Sequence, residues 1–518
     1  VWEVLGCLLV FFVLGSEAAP NVNEPHYWTI AKRFWDPTFC VGDLLLDRPP
    51  AHLLYMGTVG ALTRIASLPA AAWLGRIIGW LALSVAWCSL LRELGARRGM
   101  AILAAAAWIV LTQACQMSGE WVVGGCEGKV IAYALVLLGW RYAVRGSYGW
   151  CWIWLGLAAG FHVLVGGWAV VMTAVGLLTV PRREWSSWPR HAIGLGIGGA
   201  LSLFGLVPAL QLSNGSPEVI QAAQELYVMQ RLSHHLMIRD FPPLFVLRHV
   251  LLMVVFAAFW WQVRFDARGR RLWGIIWTAI LLSAIGATLD ASIGGTPLGN
   301  SLMRFYWFRA SDVFVPLGVV VAALLWWQRI TAVNPAQRTA RLAFIATLTT
   351  ICLYCIGYAY QLWTYTIPAA DWQGGIRRTR EWYDWRDMCE WVRTSTPAGA
   401  LLLTPADHQT FKWYAERAEL VTWKDVPQDS LGLLEWKRRL DDVQAWQFSH
   451  TKSEYRTRWK QLRETYDFDY VVIRSRLPVH LPEMQIVFRN AKYQVGMLLP
   501  PRDTGDGRQG PQHIANPN

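Results

Sequence analysis

The sequence predicts an α-helical polytopic membrane protein of about eleven spans, followed by a C-terminal soluble α/β domain. Three observations predict it. Of the 518 residues, 54% are hydrophobic, and they fall in blocks near the roughly 20 residues a helix needs to cross a bilayer. The Lys and Arg residues behind the net charge of +12 sit largely in short loops between those blocks, where they set orientation rather than bind nucleic acid. The 32 Trp residues suit membrane interfaces, where the ring is in apolar surroundings and the N–H meets water.

The apolar run Val4–Leu14 lacks the basic segment of a signal peptide and reads as a first span, at about 1–16. Further spans fall at about 70–91, 100–117, 129–144, 150–163, 165–180, 191–211, 243–262, 272–290, 311–328 and 341–363. The stretch Trp150–Val180 is too long for one upright helix, and Gly160, Gly166 and Gly167 near its middle predict two short helices meeting there.

Charge alternates from loop to loop. One set is rich in arginine: Arg92, Arg97 and Arg98; Arg141 and Arg145; Arg182, Arg183 and Arg190; Arg264, Arg268, Arg270 and Arg271; Arg329, Arg338 and Arg341. The other set is balanced or acidic, with Glu120, Glu127, Glu218, Glu225, Asp240, Asp290 and Asp312. The positive-inside rule makes the first set cytoplasmic. The N-terminus is then inside, and an odd number of spans puts the C-terminal domain outside. The long loops are all on the outer side: 17–69, 212–242 and 291–310. This divides the chain into a transmembrane domain, 1–365, with a long first outer loop, 17–69, and an extracytoplasmic α/β domain, 366–500. The α/β domain is read from strand-like runs at 400–403, 419–422, 469–473, 485–488 and 493–497, alternating with amphipathic segments at about 381–396, 407–417, 430–446 and 453–466. Gly, Pro, Asn and charge predict disorder over 501–518.

The nine cysteines form no framework. Cys352 and Cys355 make a C-x-x-C inside a span, where it reads as two small helix residues. Cys40, Cys126 and Cys389 lie outside the spans, and a disulfide among them is left open.

Four polar motifs share the outer side. The first is Asn21–Trp28, where Glu24 is a carboxylate at the membrane surface, suited to act as general base toward an acceptor hydroxyl. Asn23, Glu24 and Pro25 equally form a helix start, and a cap can position a base. The second is Ser118–Lys129, in which Glu120, Glu127 and Lys129 lie between apolar helices. Charges at such a boundary mark a site or pair with one another. In the third, helical spacing puts Arg231, His234 and His235 on one face, an array that suits phosphate or pyrophosphate. No neighbouring Cys or third His completes a zinc site there. The fourth runs from Arg304 to Asp312. Arg309 is placed to grip a lipid phosphate with Asp312 orienting it, while the aromatics between suit anchoring in the interface.

With these motifs in this layout, the chain resembles the GT-C superfamily of glycosyltransferases, which use polyprenyl-phosphate-linked sugars. More closely it resembles uncharacterised bacterial membrane proteins, through Asn23–Tyr27, Gly119–Trp121, Arg231–His235, Arg304–Asp312 and Trp423–Gln428. The resemblance covers nearly the whole chain. It implies about a dozen spans, an acidic catalytic residue just after span one, where Glu24 falls, and a soluble extracytoplasmic domain. The first loop departs from the superfamily pattern, with one Glu before Pro where Asp is usual.

The expected function is transfer of a sugar from a polyprenyl-phosphate-linked donor to an extracytoplasmic acceptor at the inner membrane. Glu24 is the expected base. Glu120, Glu127, Lys129, Arg231, His234, His235, Arg304, Arg309 and Asp312 are expected to bind the substrate and its phosphate. The partners are membrane lipid and the lipid-linked sugar, with an unassigned acceptor and a divalent metal left open. The alternative is a flippase-like protein that binds or passes lipid-linked saccharide without chemistry. That reading asks for ionisable residues at mid-membrane, of which His162 is the main one.

Overall fold

The structure is a computed structural model that describes residues 1–499 except 183–184, 186–187, 334–337, 365, 476–480 and 482–483. The segment expected to be disordered, 501–518, lies outside the described residues. The chain is a mostly helical, multi-pass membrane protein with a small sheet near its C-terminus. Each apolar segment found in the sequence coincides with a helix, from Trp2–Gly15 to Arg338–Thr364. Among the described residues, five helices are long and apolar enough to cross a membrane: Leu68–Glu93, Trp188–Gln211, Pro243–Val263, Arg270–Ile293 and Arg309–Ala332. Trp2–Gly15, Met100–Cys115 and Val163–Leu178 are apolar but shorter.

The stretch between Trp150 and Val180 is two helices, Tyr148–Phe161 and Val163–Leu178, joined at His162, whose backbone is extended. A side chain at Gly166 would collide with the Ala159 backbone, so glycine lets the second helix fold back onto the first. The same logic holds between Tyr148–Phe161 and Trp188–Gln211. A side chain at Gly156 would strike Gly198, and one at Gly205 would strike Ala159. Small residues bring these backbones into contact, as membrane helices do where apolar burial gives no drive to associate.

The arginine-rich loops gather at one end of the bundle. Arg97 reaches Thr331 at 3.2 Å, Arg271 donates to the Val144 carbonyl at 2.8 Å, Arg268 reaches Gln328 at 3.1 Å and Arg329 donates to Gln262 at 2.8 Å. The long loops and the C-terminal domain meet at the other end. There the first loop holds the domain through Lys32–Glu416 at 2.8 Å, Arg48–Asp429 at 3.5 Å and Asp43–Lys412 at 3.0 Å. A backbone bond from Ser430 to Leu212, at 3.0 Å, ties it to the loop after Trp188–Gln211.

The domain carries five strands: β1 (Leu401–Leu403), β2 (Ala418–Glu419), β3 (Tyr470–Arg474), β4 (Met484–Arg489) and β5 (Tyr493–Leu498). Their order is β2-β1-β3-β5-β4, with β1 parallel to β2 and β3 and the remaining pairs antiparallel. Trp385, Met388, Cys389 and Val392 of helix Thr379–Ser395 pack against Val472, Tyr493 and Val495 of the sheet. Ser430–Gln447 and Lys452–Thr465 cover Val471 and Ile473 with Trp436, Trp446 and Trp459. The disulfide left open does not form. Cys40, Cys126 and Cys389 are free and buried in three separate clusters.

Candidate active site at the mouth of the helical bundle

Asp312 organises the site from beneath. It sits in the first turn of helix Arg309–Val333 and is fully buried. Its carboxylate accepts from the Met117 and Ser118 amides at 2.8 and 3.0 Å and from the Ser118 hydroxyl at 2.6 Å, with His249 at 3.7 Å. These bonds use the lone pairs that were expected to orient a phosphate. Asp312 fixes the loop that presents Glu120 instead.

Glu120 is the hub of the next layer. Its carboxylate pairs with Arg309 at 2.7 Å and Lys129 at 3.3 Å, and accepts from Tyr133 at 3.0 Å. Lys129 also lies 3.8 Å from Glu127 and over the Trp121 ring. Asn23 donates to Glu127 at 2.8 Å, which brings the first loop to the same place. Arg309 stacks over Tyr306, whose hydroxyl meets that of Tyr227 at 2.9 Å.

Above this layer is a second group of cations. Arg231 ends a π-helical turn, Leu226–Arg231, and is only 7% exposed. Its guanidinium lies over the Trp423 ring, 5.0 Å from the centroid. Lys424, next in the chain, is pushed down to about 8 by burial and by Arg231. Among the described residues neither Arg231 nor Lys424 has a carboxylate within ion-pair distance. Arg231 Nε is buried without a hydrogen-bond partner. Lys129 and Arg309 thus pair with Glu120, while Glu127 and Asp425 act on Lys424 from beyond ion-pair distance. Among the described residues Arg231 and Lys424 are left as a surplus of cations without an ion pair. Burial makes such a surplus costly unless an anion completes it.

The histidines differ from the reading of the sequence. A break at Leu232 separates Arg231 from helix Ser233–Leu236, so Arg231, His234 and His235 do not share one continuous helical face. His235 Nδ1 sits 2.5 Å from the Ser118 carbonyl oxygen, and burial with His234 beside it lowers its pKa to about 4. It is neutral near pH 7 and donates to Ser118 rather than pairing with an anion. Burial and the Arg231 charge lower His234 too.

Glu24 is held by its own set of donors. It is fully buried and bound bidentately by Arg76, at 2.7 Å through Nε and 2.5 Å through Nη2. The Asn21 and Cys126 amides supply two more bonds, at 2.7 and 3.0 Å. Four donors and no exposure hold this carboxylate in place against the first loop. Arg304 stands apart, contacting Ser213 at 3.4 Å.

Several residues at the mouth were not found in the sequence. His26, two residues after Glu24, places Nδ1 3.4 Å from Asp425. Asp425 in turn pairs with Lys412, whose charge holds its carboxyl well below the usual range although burial alone would raise it. His26, Tyr27, Arg48, His52, Pro427 and Gln428 line one narrow cleft between the first loop and the domain. His52 stacks between Tyr27 and His162, at 5.7 and 5.0 Å between centroids. His162 thus packs against His52, one layer behind the cleft. The signal for these contacts was faint, since His26 and Asp425 are 399 residues apart and Lys424 and Asp425 stood out only by resemblance. Among the described residues, no group of three or more His, Cys, Asp or Glu side chains converges as a metal site.

Residues 383–443 match a family described as a domain of unknown function, DUF6798. No curated protein matches the chain. Among solved structures the chain is similar to the oligosaccharyltransferase of Archaeoglobus fulgidus. The form in complex with Zn and sulfate is 14% identical with a TM-score of 0.44, covering 91% of this chain and 68% of that one. The form tethered to an acceptor peptide containing the NVT sequon is 12% identical with a TM-score of 0.46, at the same coverage. The form with an inhibitory peptide and a dolichol-phosphate is 12% identical with a TM-score of 0.42, covering 91% and 69%.

Proposed function

We propose that this protein is an integral membrane glycosyltransferase that moves a sugar from a polyprenyl-phosphate-linked donor to an acceptor on the extracytoplasmic side. The observation that carries this reading is the gathering of cations at the mouth, where among the described residues Arg231 and Lys424 form no ion pair beside the Glu120-bound Arg309 and Lys129. Such a pocket selects a phosphate or pyrophosphate. Helices Trp188–Gln211 and Pro243–Val263 keep most of their apolar surface uncovered, which suits contact with lipid and with a polyprenyl chain. The arginine-rich end of the bundle is then cytoplasmic.

In this reading the acceptor oxygen attacks the anomeric carbon, the carbon–oxygen bond to phosphate breaks, and the configuration inverts. The phosphate leaves with the bonding electrons, and Arg231, Lys424, Lys129 and Arg309 stabilise its developing charge. His26 takes the acceptor proton on Nε2, its other nitrogen being turned toward Asp425. Glu24 supports this arrangement structurally, by holding the start of the helix that carries His26.

The test is transfer of labelled sugar from a polyprenyl-phosphate donor to a set of candidate acceptors. His26→Ala lowers the rate by about 10²- to 10⁴-fold without weakening donor binding. A rate within a few-fold of wild type removes His26 from this role. Donor binding with no transfer to any acceptor favours the flippase-like alternative.

A further inference from the structure

The C-terminal domain contains a second cavity, separate from the cleft at His26. It holds about 430 Å³ and opens between the segment after β1 (Pro405, Ala406 and Asp407) and the end of β3 (Val472, Ile473 and Arg474). Its place follows from the topology. From β1 the chain goes to β2 on one side of the sheet and returns to β3 on the other, so β1 and β3 flank a switch point. Ligands of open α/β sheets bind in the crevice beyond the carboxyl ends of such strands.

The lining points to a ligand class. Trp423 and Phe448 are 43% and 71% exposed, both unusually open for large rings in a water-facing domain. Gln444 contributes an amide, and Asp407 and Arg474 form an ion pair at 2.5 Å on one wall. Trp446 and Tyr455 also line the cavity. Both are nearly fully buried, yet Trp446 Nε1 and Tyr455 Oη have no hydrogen-bond partner among the described residues. Exposed aromatic faces beside planar amides match the apolar C–H face and equatorial hydroxyls of a pyranose. The Asp407–Arg474 pair leaves the cavity without an uncompensated charge, which favours a neutral sugar.

We propose that this crevice is a binding subsite for a neutral saccharide, continuous through Trp423 with the anion pocket. Trp423 is shared, since the Arg231 guanidinium stacks on the ring that also lines the crevice. The inference rests on the glycosyltransferase reading only for the origin of the saccharide, which is either the glycan of the lipid-linked donor or a glycosylated acceptor.

The test is titration of the full-length protein in detergent with neutral malto-, cello-, manno- and chito-oligosaccharides, followed by tryptophan fluorescence and calorimetry. At least one of these binds, and Phe448→Ala, at an exposed position that spares the core, weakens it by about tenfold or more. Gln444→Ala weakens it as well, and both variants keep wild-type affinity for a polyprenyl phosphate that carries no sugar. A saccharide that displaces the lipid-linked sugar identifies the donor glycan as occupant, and one that binds alongside it identifies an acceptor. No binding up to about 10 mM of any member, or unchanged affinity in Phe448→Ala, overturns the proposal. Arg231→Gln separates the two readings. Loss of lipid-phosphate binding in a protein that still binds saccharide leaves the crevice standing, and the reverse leaves the anion pocket standing.

Discussion

Lys424 shows how one side chain ties the site to pH. Burial and the neighbouring Arg231 bring it to about 8, so it is charged below that pH and neutral above it. Anion affinity is therefore expected to fall as pH rises through about 8. Lys424→Arg, charged throughout, flattens the profile, and donor affinity measured from pH 6.5 to 9.5 checks both. Glu24 teaches the opposite lesson. Its position just past the first span is legible in the sequence, but its partner is not. Arg76 lies 52 residues later in a helix that reads as simply apolar. Glu24→Gln breaks a buried ion pair and is expected to cost about 3–5 kcal/mol of stability, seen as a lower melting temperature in detergent. Transfer per folded molecule stays within a few-fold of wild type, whereas an intact fold with abolished transfer would restore Glu24 as the base.

At the scale of elements, the junction between the first loop and the domain is built on one buried lysine. Lys412 faces Asp43 at 3.0 Å, Glu419 at 3.1 Å and Asp425 in closer contact still. One cation cannot neutralise three carboxylates. Burial raises Glu419 to about 7, against the pull of Lys412 and with Asp425 and Asp43 adding to the rise. Because its folded value lies above its ordinary value of 4.5, its contribution to stability is fully present below about pH 4.5. That contribution is lost as pH rises through about 7. Glu419→Gln is accordingly expected to raise the melting temperature at pH 8 and change it little at pH 5. Equal shifts at both pH values would show that Glu419 does not titrate in this window. The contact with Asp43 could not be read from the sequence, because it joins residues hundreds of positions apart, and the nearer two lie in loops and short elements whose spacing carries no pattern. The elements themselves could be read, since hydrophobic blocks and period-two runs are local signals. Four of the five strand-like runs in the tail coincide with strands, while 419–422 meets β2 only at Glu419, and the glycines at Gly160 and Gly166 marked the fold-back at His162. The π-helical turn at Leu226–Arg231 was missed, since its pattern is that of an ordinary helix until the break at Leu232.

For the whole molecule, alternating loop charge predicted two chemically different ends, and the structure gathers the arginine-rich loops at one end and the long loops with the domain at the other. Of the expected site residues, Glu120, Glu127, Lys129, Arg231 and Arg309 come together at the mouth, while Glu24, Asp312 and His235 support it from hydrogen-bonded positions and Arg304 stands outside. The domain completes the pocket by adding Lys424 and Trp423, so neither half of the chain holds the site alone. The most direct measurement is binding of a radiolabelled polyprenyl-phosphate sugar to the full-length protein in detergent, comparing wild type with a combined Arg231→Gln and Lys424→Gln variant. Each charged hydrogen bond to phosphate contributes about 1.5–3 kcal/mol, so the expected result is saturable binding by the wild type that the variant loses by about 100-fold or more. A variant that binds as tightly as wild type, or a wild type that binds no lipid-linked sugar, would contradict the account.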